Sequence, residues 1–173
     1  MKLPYFLFLS AGLLVFVACQ NNPEPAAAPA AENGAVADVE AIAKSLLGTW
    51  ETVEVDVLFH SYENRDTSFR QTIREADWGQ VFGVKPARTE FTADGKHKRT
   101  HRMENGSVAD ITNGVWKVKS TDSLLVIEPN KTLYYAHEMK GDQLILTGFV
   151  DYDYDGEADD EYRSVMRLVS RTQ

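Results

Sequence analysis

Polar and apolar residues alternate along residues 53–59, the most regular stretch of the sequence. One face of this stretch carries Val53, Val55, Val57 and Phe59. Glu54 and Asp56 lie on the opposite face. A period of two residues is typical of a strand with one buried face and one face in water. The pattern therefore predicts an antiparallel strand that starts soon after Gly48-Thr49-Trp50.

Short strands separated by turn residues follow through most of the chain. We predict strands over residues 87–92, 96–103, 107–111, 115–119, 124–128, 132–139, 143–151 and 161–170. Asp94-Gly95 and Asn113-Gly114 are dipeptides typical of tight turns. About eight antiparallel strands predict an all-β fold, and closure into an up-and-down barrel removes the exposed edges. The candidate inward-facing residues are Val53, Val55, Val57, Phe59, Trp116, Val118, Leu144, Leu146, Tyr162, Met166 and Leu168.

A short helix is predicted over residues 38–47, just before the first strand. Asp38 is a suitable N-cap, and Gly48 follows where a C-cap glycine is common. The apolar face of this helix carries Val39, Ile42 and Leu46. Trp50 has the parity of Glu54 and Asp56 rather than that of the valines. We therefore expect Trp50 to plug the closed end of the barrel, beneath the helix.

Residues 60–86 fit two predictions equally well. They form either a hairpin that turns at residues 63–66 or a helix over residues 69–77, in which Phe69 and Ile73 lie one turn apart. Trp78, Val81 and Phe82 stand beside two glycines, which suits a mobile apolar flap over a ligand. The alternative is a loop whose aromatic side chains cover the barrel rim.

The N-terminus predicts export. Lys2 precedes an apolar run over residues 5–17, which is shorter than the about 20 residues that a membrane-spanning helix needs. The run leads to Ala18 and Cys19, the only cysteine of the sequence. Residues 16–19 resemble the lipobox of bacterial lipoproteins, which implies lipidation of Cys19; the alternative is an ordinary signal peptide with an incidental cysteine. Residues 20–37, rich in alanine and proline, predict a flexible tether.

These features divide the chain into a signal peptide at 1–18, a tether at 19–37 and one folded domain at 38–173. Among lipoproteins of Gram-negative bacteria, a residue other than Asp after the cysteine resembles an outer-membrane sorting signal, and Gln20 fits this pattern. We therefore expect a lipid-anchored monomer in the cell envelope, at the outer membrane. A single cysteine excludes an internal disulfide framework.

Charge and motifs narrow the function classes. The formal net charge is −8, which argues against a nucleic-acid partner, since phosphate binding needs a basic surface. The sequence has no H-E-x-x-H zinc motif, no nucleophile elbow and no P-loop. We therefore expect a protein that is not an enzyme.

Three landmarks carry a family resemblance. They are Leu47-Gly48-Thr49-Trp50, residues 91–96, and residues 114–118 followed by Asp122-Ser123-Leu124. Together they resemble the lipocalin-like domains of bacterial lipoproteins, over residues 46 to about 169. The resemblance implies a calycin-type barrel more firmly than it implies a function. It also implies that a late arginine, Arg167 or Arg171, stacks on Trp50.

The loop at residues 151–162 resembles an EF-hand calcium loop, D-x-D-x-D-G. The candidate ligands in the order of that loop are Asp151, Asp153, Asp155, the carbonyl of Glu157, and Asp159. Tyr162 stands where a bidentate glutamate is usual. The loop therefore predicts weak, structural Ca²⁺ binding; the alternative is a solvated acidic hairpin loop.

Residues 96–102 are a basic run in an acidic protein. Alternation places His97, Arg99 and His101 on one face, and we expect a cationic face to point inward if this strand is central. Arg99 and His101 would then hold an anionic head group. The alternative is a strand that passes the rim and pairs with surface acids. His97 and His101 are a poor metal pair, since four residues along a strand span about 13 Å.

The sequence favours a membrane-anchored lipocalin-like protein that binds a small, partly apolar or anionic ligand in its barrel. The candidate ligand contacts are Trp78, Phe82, Arg99 and His101. The competing prediction is an envelope interaction module with a packed barrel that binds protein or glycan through its loops. A continuous cavity of several hundred Å³ would favour the first, and a filled interior the second.

Overall fold

The computed structural model describes residues 30–62 and 65–171. The predicted signal peptide, Cys19 and the tether up to residue 29 lie outside the described residues. The described residues form two helices, α1 (Ala30–Leu46) and α2 (Trp78–Phe82), the second preceded by a 3-10 turn at Glu75–Asp77. The strands are β1 (Gly48–Phe59), β2 (Phe69–Arg74), β3 (Lys85–Phe91), β4 (Lys96–Arg102), β5 (Val108–Ser120), β6 (Ser123–Glu128), β7 (Lys131–Lys140), β8 (Gln143–Val150) and β9 (Asp160–Ser170).

Eight of these strands close into an antiparallel barrel. Each strand from β3 to β9 pairs with the next, and β1 closes the circle by pairing with both β3 and β9. β2 is an additional strand that pairs with the second half of β1, from Glu54↔Arg74 to Phe59↔Phe69. The predicted all-β, up-and-down barrel of about eight strands with an N-terminal helix is confirmed.

A β-bulge in β1 changes which residues point inward. The register of β1 against β9 shifts between Thr52 and Glu54. Trp50 and Thr52 are buried before the shift, and Val55, Val57 and Phe59 are buried after it. Val53, predicted to point inward, lies half-buried at the bulge and outside both core clusters, so that prediction is wrong. The extra residue of a bulge reverses which of the alternating side chains point inward. A strictly alternating pattern in the sequence does not show this reversal.

Most of the other predicted inward residues do form the core. Val55, Val57 and Phe59 belong to a core cluster in the second half of β1. The larger cluster at the other end contains Trp116, Val118, Leu144, Leu146 and Met166. Leu168 and Tyr162 are partly buried against these clusters.

Helix α1 covers the end of the barrel where β1 begins. It starts at Ala30, eight residues before the predicted start at Asp38, because an alanine-rich segment extends a helix readily. Residues 30–37 therefore lie in α1. Leu46 is fully buried, and Val39 and Ile42 pack against the same core. In the part of the chain that the structure describes, no helix is long and apolar enough to cross a bilayer.

Trp50 plugs this closed end, as predicted. Its ring is fully buried, and its Nε1–H donates to the Leu46 carbonyl at 2.8 Å. The Arg171 guanidinium carbon lies 5.5 Å from the ring centroid, which confirms one of the two expected arginines. Arg167 instead pairs with Glu51 and Glu75. Gly48 has φ +135°, and a Cβ there would collide with the Ser170 carbonyl, so the first residue of the Gly-x-Trp signature must lack a side chain.

The structure resolves the ambiguity in residues 60–86. Tyr62 and Arg65 form a bridge, and β2 returns antiparallel along β1, so the hairpin prediction is correct. The helix predicted over residues 69–77 is wrong; the helical residues begin at Glu75. Ile73 is buried while its strand neighbours face solvent, and Arg70 and Thr72 donate hydrogen bonds to Asp56 of β1. These contacts across the hairpin explain why residues 69–74 form a strand rather than a helix.

Asn113-Gly114 is not a turn. Both residues lie inside β5, which runs unbroken from Val108 to Ser120. Gly114 pairs with His97 of β4, and a Cβ at Gly114 would collide with the His97 imidazole and the Ile127 carbonyl. Glycine within a strand often marks such a close approach. Residue 114 is therefore a glycine because the His97 ring packs closely against it, and the chain does not reverse direction there.

Candidate functional site

A cavity of about 440 Å³ opens at the end of the barrel opposite α1. α2 supplies Trp78 and Phe82 to its wall, and β4 supplies Arg99 and His101. The structure thus places all four predicted ligand contacts on one cavity. Tyr135, Tyr152 and Tyr162 form much of the remaining wall.

The closed half of the barrel is filled by side chains. Below the cavity lies a space of only about 60 Å³, lined by His97, Glu128 and apolar residues such as Phe91, Leu146 and Met166. The tightly packed Trp50 cluster lies beyond it. The barrel is therefore hollow at its open end and packed at its closed end.

α2 fits into a gap in the barrel wall. β1 pairs with β3 up to Glu51 and with β2 from Glu54 onwards. The 3-10 turn and α2 connect β2 to β3 across this gap. Trp78 is buried against Val55, Val57, Phe59 and Ile73, while Phe82 stays 40% exposed. One aromatic residue of α2 is thus fixed in the wall, and the other lies at the mouth.

Arg99 points inward and pairs with a buried glutamate. Its Nη2 donates to Glu128 Oε2 at 3.0 Å, and its Nη1 lies 2.9 Å from Oε1. Glu128 is only 5% exposed. The alternative in which this strand pairs with surface acids is wrong for Arg99. Sequence reasoning missed Glu128, although it ends β6 with the same parity as the buried Leu124 and Val126.

The histidines of β4 are held neutral. Burial lowers the pKa of His101, and the nearby Arg99 charge lowers it further. Burial also lowers the pKa of His97, although the Glu128 carboxylate opposes this effect. Near neutral pH neither imidazole carries a full charge, so His101 offers the cavity hydrogen bonding rather than a positive charge.

The tyrosines of the cavity wall are neutral as well. Burial raises the pKa of Tyr135, Tyr152 and Tyr162 above the ordinary value. The Tyr152 and Tyr162 rings stack with centroids 6.1 Å apart, and Tyr135 lies 5.9 Å from Tyr162. The wall is therefore an aromatic surface that carries uncharged hydroxyl groups.

The acidic loop brings together three of its predicted ligands. Carboxylate oxygens of Asp151, Asp153 and Asp155 lie within 4.8 Å of one another. The Ser61 hydroxyl, from the connection after β1, lies within hydrogen-bond distance of both Asp155 and Asp159, at 3.3 and 3.2 Å. The backbone N–H of Glu157 donates to Asp155, and the Glu157 side chain is exposed. The structure thus gathers the first three residues and places Asp159 beside them; calcium binding stays a prediction.

Asp160 is a structural residue of this loop that sequence reasoning missed. It is fully buried and accepts a hydrogen bond from the Tyr152 backbone N–H at 2.7 Å. Burial raises the pKa of Asp160, and the neighbouring Asp153 and Asp159 carboxylates raise it too. Asp160 ties the start of β9 to the first turn of the loop.

We expect millimolar Ca²⁺ to raise the thermal unfolding midpoint by about 4 °C. A site with a Kd of about 1 mM, common for extracellular calcium modules, contributes about 1 kcal/mol at 5 mM Ca²⁺, and a domain of this size gains roughly 4 °C from that. Circular dichroism melts in calcium and in EDTA measure the shift.

Asp153→Asn should abolish this shift, while Asp142→Asn, an exposed aspartate in a turn at the closed end, should keep it. Equal midpoints in calcium and EDTA for the unchanged protein would rule out the site.

Comparisons with known proteins add little to this picture. No family model matches the sequence, and no curated protein matches it significantly. Among solved structures, the chain is similar to the crystal structure of Rv2717c from M. tuberculosis. The identity is 13%, the match covers 77% of this chain and 98% of that one, and the TM-score is 0.38. A likeness at that score supports no conclusion, so the fold assignment rests on the strand pairings described above.

Proposed function

We propose that this chain is a lipid-anchored, lipocalin-like protein of the cell envelope that binds a small, partly apolar molecule at the open end of its barrel. The observation that carries the proposal is the cavity of about 440 Å³, lined by Trp78, Phe82, Arg99 and His101. Binding pockets for small molecules usually measure about 300–1,000 Å³ and combine apolar walls with a few polar groups. This cavity has both properties.

The distribution of packing supports a binding role. A barrel whose only task is structural gains stability from a filled interior, because each void costs dispersion contacts. Here the closed half is filled and the open half is hollow. The hollow half is also where α2 and the acidic loop replace tight turns between strands. The long connections therefore cluster around the cavity, as expected for loops that serve binding.

The N-terminal sequence supports the proposed location in the cell envelope. Residues 1–18 have the features of an export signal, and Cys19 follows the apolar run directly. Lipidation of Cys19 would hold the barrel near a membrane surface, with the tether as a spacer. A partly apolar ligand of low solubility is concentrated at such a surface. The outer membrane is the proposed location.

Native mass spectrometry of the full-length protein, purified in detergent from the organism that encodes it, tests both parts of the proposal. We expect a mass that corresponds to loss of residues 1–18 with acyl chains on Cys19, and one small molecule retained per chain. Ala87→Phe should reduce the retained molecule at least tenfold, because Ala87 is buried in the cavity wall.

Ala136→Phe is the matched control. It adds the same side chain to the exposed face of another strand, so ligand retention should not change. A native protein that carries no small molecule, or equal retention in the two variants, would contradict ligand binding in this cavity.

The alternative function is an interaction module of the envelope. Tyr134, Phe149 and Tyr154 are more than 60% exposed on β7, β8 and the acidic loop, which favours a protein or glycan partner on the outer surface. In that case the mass spectra would show an empty barrel, and Tyr134→Ala would weaken the association with the partner while Ala87→Phe would not.

A further inference from the structure

The charges around the cavity are already balanced. The Arg99 guanidinium forms an ion pair with the Glu128 carboxylate: Nη2 donates to Oε2 at 3.0 Å, and Nη1 lies 2.9 Å from Oε1. Lys131 lies 3.7 Å from the same carboxylate, and Asp151 lines the cavity. His101 is neutral near pH 7, because burial and Arg99 lower its pKa. Two cations thus face two anions, so a carboxylate on the ligand would meet no uncompensated positive charge.

Within the part of the chain that the structure describes, the cavity wall has two buried hydrogen-bond donors without an acceptor, beside one buried acceptor without a donor, Asp151 Oδ1. Trp78 Nε1 and Arg99 Nε are buried, and neither has an acceptor among the described residues. Trp78 is only 5% exposed, and both residues line the cavity. A buried donor without an acceptor costs about 1–3 kcal/mol. An acceptor atom on a bound molecule would recover that free energy.

The two observations together select a class of ligand. Balanced charge disfavours an ion, because burying an uncompensated charge costs far more than burying a dipole. Unpartnered donors favour a group that accepts hydrogen bonds. The stacked Tyr152 and Tyr162 rings favour a flat apolar body beside that group.

We infer that the cavity takes an uncharged molecule with an apolar body and a carbonyl-type acceptor, such as a ketone, ester or amide, directed toward Trp78 and Arg99. This inference rests on the proposed function and specifies its ligand. It replaces the expectation that Arg99 and His101 hold an anionic head group. Arg99 acts through its Nε–H, and its charge stabilises Glu128.

Three naphthalene probes of nearly equal shape test the inference: 2-acetonaphthone, 2-isopropylnaphthalene and 2-naphthoate. Equilibrium dialysis of the full-length protein in nanodiscs, with EDTA present and empty nanodiscs as the blank for partitioning, gives each Kd. EDTA prevents a cation at the acidic loop from changing the charge of Asp151. We expect the ketone to bind at least tenfold more tightly than either of the other two probes.

Two variants separate the donor effect from the charge effect. Trp78→Phe keeps an aromatic ring but removes the N–H, so the advantage of the ketone over the hydrocarbon should fall at least fivefold. Trp116→Phe is the control, because Trp116 donates to the Thr92 carbonyl and lines no part of this cavity. Glu128→Gln leaves the charge of Arg99 unpaired, so naphthoate should bind at least tenfold more tightly than to the unchanged protein.

If naphthoate binds the unchanged protein most tightly, or the hydrocarbon binds as tightly as the ketone, the inference is overturned while ligand binding stands. If none of the three probes binds and the native protein also retains no molecule, both the inference and the proposed function are overturned.

Discussion

Trp50→Ala is expected to lower the free energy of unfolding by about 4 kcal/mol, the typical cost of truncating a fully buried large aromatic residue. Trp50 has no exposed surface and belongs to the core of the closed end. The substitution also removes the hydrogen bond to the last residue of α1 and the ring under Arg171. The lost contacts and the resulting void both act in the same direction, because the packed neighbours relax only in part.

Urea denaturation followed by circular dichroism measures this change. Trp78→Ala is the matched control, since Trp78 is also buried but borders a cavity and its Nε1–H has no acceptor among the described residues. We expect the control to lose clearly less stability than Trp50→Ala. A loss for Trp50→Ala no greater than that of the control would show that Trp50 does not hold the closed end together.

Gly114→Ala is expected to cost about 3 kcal/mol, at the upper end of the range for adding a methyl group to a packed core. The new Cβ would collide with the Ile127 carbonyl of β6 and with the buried His97 ring. The carbonyl belongs to the backbone of a paired strand, so a rotamer change cannot relieve the collision. β5 and β6 would have to move apart where they pair.

The same denaturation experiment tests this prediction. Asn113→Ala changes the neighbouring exposed residue of β5 and should alter stability by less than about 0.5 kcal/mol. Equal stability of the two variants would show that the approach of His97 and Ile127 does not require a glycine at position 114.

Local sequence patterns predicted the features that depend only on residues close together in the sequence. Alternating residues located all eight strands of the barrel, although β5 was predicted as two strands. The additional strand β2 was one of two alternatives. The same alternation put Arg99 and His101 on an inward face, and the cluster of aromatic and glycine residues drew attention to Trp78 and Phe82. These inferences need only the period of a strand and the composition of a loop.

The errors at Gly114, Val53 and Glu128 share one physical cause, because each depends on a partner far away in the sequence. The glycine after Asn113 is explained by His97, and the bulge at Val53 appears only in the pairing of β1 with β9. Glu128 lies 29 residues from Arg99, and their contact depends on the register of three strands. The charge balance of the cavity, from which we infer the class of ligand, depends on that register.

The bulge at Val53 gives the two halves of β1 opposite side-chain parity, although both halves pair with β9. Its first half carries the Gly-x-Trp signature and pairs with β3, and its second half lines the cavity and pairs with β2. Substitutions beyond Val53 can therefore change the residues that line the cavity without changing the face of β1 on which Trp50 lies. The wall of the open end can vary while the packing of the closed end is kept.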